Sequence, residues 1–145
     1  MNKEIKPCEG VGDIKFGMTR DELIKTIGEP DEVHEMDFDE EGKSETWHYD
    51  YLELSVSFEE NDDWKLTVIS VSSEEFTLNG DKLIGQDMDA ILSKLNDAGA
   101  THIDLEEEDL GQELVIVENL NLNFWFEGSL SSGTKLNEIQ LEVCD

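Results

Sequence analysis

The sequence is poor in positive charge: 10 Lys and Arg stand against 37 Asp and Glu, a formal net charge of -27 over 145 residues. Nucleic acid and anionic membrane surfaces are thereby excluded as direct partners, because both select the opposite sign. Cysteine is scarce as well. Cys8 and Cys144 lie near opposite ends of the chain and match no metal or redox spacing, so they read as two reduced thiols. A bridge between them would close nearly the whole chain and requires the termini to meet. The apolar runs are only a few residues long, too short for a spanning helix. Met1-Asn2-Lys3-Glu4-Ile5-Lys6-Pro7-Cys8 carries positive charge with no apolar stretch behind it, which points to the cytoplasm.

Catalytic signatures are missing too. His34, His48 and His102 have no i, i+4 pairing and no thiolate company, which argues against a transition-metal site. Acidity around both cysteines opposes a reactive thiolate. Ser129-Leu130-Ser131-Ser132-Gly133 reads as a loop, with nothing of a nucleophile elbow around it. Carboxylates are so frequent that no pair stands out as an acid/base dyad. The expectation is a non-enzymatic chain with no cofactor and no metal. Self-repulsion on this scale opposes a compact state. A basic protein surface or a divalent cation as partner would account for it, and so would solubility alone or a salt-rich habitat.

What the chain does have is a pattern stated twice. An offset of 68 positions carries Gly12 onto Gly80, Asp13 onto Asp81, Gly17 onto Gly85, Leu23 onto Ile91, Ile24 onto Leu92 and Ile27 onto Leu95. Thr19 and Glu22 form a capping box, Leu23, Ile24 and Ile27 share a face, and Gly28 with Pro30 ends the first helix. Asp87 caps the second, whose stripe is Met88, Ile91, Leu92 and Leu95 and whose stop is Gly99. Strands follow each helix. Leu52, Leu54, Val56 and Phe58 alternate with Glu53, Ser55 and Ser57, and the offset carries them onto Leu120, Leu122, Phe124 and Phe126. The expected fold class is α+β, a single domain 1-145 made of two tandem repeats, 1-75 and 76-145. Each repeat would be a short helix followed by an antiparallel three- to four-stranded meander, forming one curved sheet with the helices on one side.

Gly-Met-Thr-Arg-Asp-Glu-Leu-Ile-Lys-Thr-Ile-Gly-Glu-Pro, with Trp47-His48-Tyr49, the strand ending in Phe58 and Leu66-x-x-Ile69-x-Val71, resembles the modules of the SmpA/OmlA outer-membrane assembly lipoprotein family. Duplicated, the pattern resembles the architecture of beta-lactamase inhibitor proteins. The resemblance implies helices on the convex side of one sheet and a function in binding other proteins.

Asp37-Phe38-Asp39-Glu40-Glu41-Gly42 opens like a calcium loop, but His48 stands where a bidentate Glu belongs and flanking helices are missing. A hairpin turn with solvated carboxylates is the plainer reading. If the alternating apolar residues face the helices, then Glu53, Ser55, Ser57, Asn119, Asn121, Asn123 and Trp125 face out. Trp125 would then be either a buried anchor for a partner or packing across the junction of the halves. Trp64, beside Asp62 and Asp63, is a second candidate anchor, while Trp47 fits the core.

The function these residues suggest is neutralising or sequestering a basic protein, most plausibly as an immunity protein of a bacterial toxin pair. The contact residues would be Asp37, Asp39, Glu40, Glu41, Glu59, Glu60, Asp62, Asp63, Trp64, Glu106, Glu107, Glu108, Asp109 and Trp125. A structural or assembly adaptor whose acidity serves solubility, and a calcium-responsive binding protein, are the alternatives. Oligomeric state is left open.

Overall fold

The computed structural model describes residues 2–107, 112–129 and 133–144. The chain opens with β1 (Glu4–Lys6), β2 (Gly10–Val11) and β3 (Ile14–Lys15), then α1 (Arg20–Ile27). Four strands follow: β4 (Glu32–Asp37), β5 (Lys43–Tyr49), β6 (Leu54–Glu59) and β7 (Lys65–Val71). After β8 (Thr77–Leu78), β9 (Asp81–Lys82) and α2 (Met88–Asp97) come β10 (Ile103–Glu107), β11 (Gln112–Val117), β12 (Leu122–Ser129) and β13 (Gly133–Glu142).

The helices start where side chains can satisfy their free amides. Thr19 accepts from the Glu22 amide at 3.2 Å while Glu22 accepts from the Thr19 amide at 3.1 Å, a complete capping box. Gly28, at φ 89°, ends α1 and donates to the Ile24 carbonyl. Asp87 caps α2 by accepting from the Ala90 amide at 3.0 Å.

The expected fold class is corrected by these elements. Instead of an α+β chain of tandem helix-plus-meander repeats on one curved sheet, the described residues are mostly β, with two short helices and two separate sheets. One sheet has eight strands in the order β10-β11-β12-β13-β7-β6-β5-β4, and the other has five, β3-β2-β1-β8-β9. The cause lies in stretches that read as lead-ins and turns. They are too short to show periodicity, yet Glu4 and Ile5 pair in parallel with Thr77 and Leu78, so the start of the chain belongs with residues of the other half. β7 pairs with β13 across the same boundary.

The second correction concerns the cysteines. Cys8 and Cys144 form a disulfide with Cα atoms 5.1 Å apart. Cys8 sits in the turn between β1 and β2, and Cys144 follows β13, so the bond ties the small sheet to the large one.

Among the described residues one buried cluster holds Ile5, Val11 and Ile14 from the small sheet, Leu23 of α1, Ile91 and Leu95 of α2, and the inward residues of the large sheet. Among the latter Tyr49, Phe58, Phe124 and Phe126 are the largest. Tight 3-10 turns at Asp50–Leu52, Glu60–Asp62 and Glu118–Leu120 join consecutive strands of the large sheet. Each ends in a left-handed residue, Glu53, Asp63 and Asn121 respectively. Leu52, which alternation assigns to a strand, is in fact the last residue of such a turn.

Candidate functional site

Alternation along the large sheet leaves a second face, opposite the core. The register lines up one residue per strand across all eight: Glu32, His48, Ser55, Ser70, Gln140, Asn123, Ile116 and Asp104. A neighbouring row runs His34, Thr46, Ser57, Val68 and Glu142. Among the described residues of this face only Leu114, 7% exposed and outside the main cluster, is buried. The others are half-buried or exposed, so no second apolar layer rests on them.

Trp125 lies on this open face, directly opposite Leu114 of β11 and Glu138 of β13. It stands on β12, which pairs with β13, the strand that in turn pairs with β7 of the first half. Glu138 is half-buried, and that burial, reinforced by the charge of Glu127, pushes its carboxyl above the usual range. It borders a depression of about 330 Å³ lined also by His48, Ser55, Ser70 and Ser72.

The acidic turns of the first half are brought together. The turn holding Asp39, Glu40 and Glu41 sits beside the turn holding Glu60, Asp62 and Asp63, and Asn61 Nδ2 donates to the Glu41 carbonyl between them. Asp37 ends β4 and accepts from the Asp39 amide at 2.9 Å, while Glu59 ends β6 opposite Ser44 on the open face. These carboxylates form one rim. Among the described residues no group of three His, Cys, Asp or Glu side chains converges as a metal site.

Glu106 is not part of that rim. It lies on the open face of β10, at the opposite edge of the sheet from β4 and seven strand spacings away, roughly 30 Å. Glu107 is the last residue of β10, and Glu108 and Asp109 lie outside the described residues. Trp64 is also elsewhere. Asp63 and Trp64 are both left-handed, at φ 57°, and Trp64 is half-buried against the core with the Arg20 guanidinium 4.6 Å over its ring. Arg20 in turn donates to Glu45 at 2.9 Å.

Three of the outward polar residues expected from alternation close turns instead, Glu53 as the left-handed residue that ends the Asp50–Leu52 turn and two asparagines. Asn119 accepts from the Thr101 and His102 amides and donates to the Gly99 carbonyl. Asn121 donates to the Val143 carbonyl. Sequence reasoning also missed the pairing of His34 with His48, whose rings meet edge-on at 5.0 Å on the open face. Only the β4/β5 register, which sets Glu32 opposite His48, reveals it.

No protein-family model matches the chain, and no curated protein does. Among solved structures it is similar to an extracellular protein containing a SCP domain from Bacillus anthracis str. Ames, at 17% identity and a TM-score of 0.52. The match covers 96% of this chain and 50% of that one, so this chain spans about half the length of the protein it resembles. At that identity the likeness is one of fold alone.

Proposed function

We propose that the chain is a non-enzymatic binding protein that uses the open face of its large sheet to hold and neutralise a basic protein. The carrying observation is that face itself: a row of polar residues, interrupted by Ile116, across eight strands with no second layer among the described residues, and Trp125 directly opposite the buried Leu114 on the next strand. Tryptophan is enriched among the residues that anchor protein interfaces. Carboxylates of Glu59, Asp104, Glu106, Glu138 and Glu142 stand on this face against Lys65 and Lys135, and the net charge of -27 would steer a cationic partner toward it.

An inhibitor or immunity protein of a toxin pair fits this description. The disulfide favours work in an oxidising compartment over the cytoplasm, because such bonds persist where thiols are not kept reduced. The Bacillus anthracis protein that the chain resembles in fold is extracellular, which accords with that setting. The test is capture of partners by the disulfide-intact protein from its native source, washed across a salt series. One stoichiometric basic protein that survives moderate salt, and that Trp125→Ala releases with about 30-fold weaker affinity, supports the reading. A mixture of basic proteins that leave together as salt rises, unaffected by Trp125→Ala, sinks it.

A further inference from the structure

The large sheet ends in β4, and no described strand pairs with its outer side. All six of its residues are exposed. The Phe38 amide donates to the Gly42 carbonyl at 2.9 Å. Antiparallel alternation then turns the backbone groups of His34 and Met36 toward β5 and those of Val33, Glu35 and Asp37 away from it. That free backbone row is flanked by apolar side chains, Val33 and Met36 at 52% exposure and Phe38 at 47%. Val33 lies opposite the buried Trp47, so it continues the core face past the last covered strand.

The charge around this edge has one sign. Residues 29 to 41 contain eight carboxylates and no Lys or Arg. A second copy of the chain added here would set those carboxylates against their own duplicates, and like charges placed across strands are destabilising. Acidic side chains guard an edge against self-pairing in this way, and the same charges select a strand of opposite sign.

We propose that β4 is a docking edge, on which an extended cationic segment of the partner adds as a further strand of the large sheet. Main-chain hydrogen bonds to Val33, Glu35 and Asp37 supply the affinity, and alternate cationic and apolar side chains supply the match. This rests on the basic-partner reading and names how such a partner is gripped.

The probe is a synthetic peptide alternating Lys and Val, titrated against the disulfide-intact protein at low salt and followed by fluorescence anisotropy. Glu35→Pro removes an outward amide without touching the β4/β5 ladder, since Pro is tolerated on edge strands where the N–H faces solvent. Glu35→Gln is the charge control. Expected is saturable binding to the wild type, about tenfold weaker binding to Glu35→Pro, and a change of less than about threefold for Glu35→Gln. Amide exchange on the wild type gives a readout independent of either variant: the peptide should slow exchange at Val33, Glu35 and Asp37 while leaving distant amides unchanged. Binding in which those amides stay unprotected, or in which Glu35→Pro matches Glu35→Gln, overturns strand addition and leaves the basic-partner reading standing. Failure of the wild type to bind the peptide at all overturns strand addition, while the basic-partner reading stands or falls on the capture across a salt series.

Discussion

Glu138 shows how a single side chain links the site to pH. Its carboxyl is held above the ordinary range, first by burial and then by Glu127, so the folded chain binds this proton more tightly than the unfolded chain does. A raised acid penalises the fold above its folded pKa, and the penalty disappears as pH falls below the unfolded value. Glu138→Gln is therefore expected to raise the thermal midpoint at neutral pH by roughly one to three degrees, with the difference vanishing near pH 4. A midpoint gap that stays constant across a pH series of melts would show that the charge is not the cause. At this scale the sequence was partly legible. Trp47 reads as core and is 5% exposed against Phe58, because strict alternation leaves it no other side. The fate of Trp64 was hidden, since two successive left-handed residues without glycine leave no periodic trace, and they turn the ring back under Arg20.

Among the elements, α1 was the most readable because its boundaries are set by local chemistry. Its eight residues bury Leu23 fully and lean on the Thr19 cap at the start. Thr19→Ala is expected to lower stability by about 1 kcal/mol, read as a fall in the denaturant midpoint with an unchanged slope. A loss near zero would mean that tertiary packing alone holds the helix. The strands were legible where one face is buried, as in β6, whose residues alternate buried and half-buried from Leu54 to Glu59. They were less so at Leu52, where a 3-10 turn imitates one more step of the alternation. β4 showed only Val33, Met36 and Phe38 as hints, because an edge strand with no buried residue has little pattern to display. The two-residue strands β2, β3, β8 and β9 fall below the length at which period 2 can be seen at all.

The whole molecule depends on contacts between chain ends that no local pattern encodes. β1 pairs with β8, β7 with β13, and Cys8 with Cys144, a bond spanning 136 positions. This is why the fold class read from two helices and their following strands came out with too few strands and one sheet too few. Loop closure on that scale restricts the unfolded chain strongly, so the double variant Cys8→Ser, Cys144→Ser is expected to lose about 4 to 5 kcal/mol in equilibrium denaturation. A loss below about 1 kcal/mol would mean that the strand pairings hold the termini without it. The central claim, that the open sheet face grips a basic protein, is tested most directly by placing new charge on that face alone. Capture is compared between the wild type, the double variant Ser57→Lys, Gln140→Lys on the open face, and Asp21→Lys in the first turn of α1, each confirmed as folded. The account requires the open-face variant to lose its basic partner while Asp21→Lys retains it. Equal loss in both, or retention in both, would contradict it.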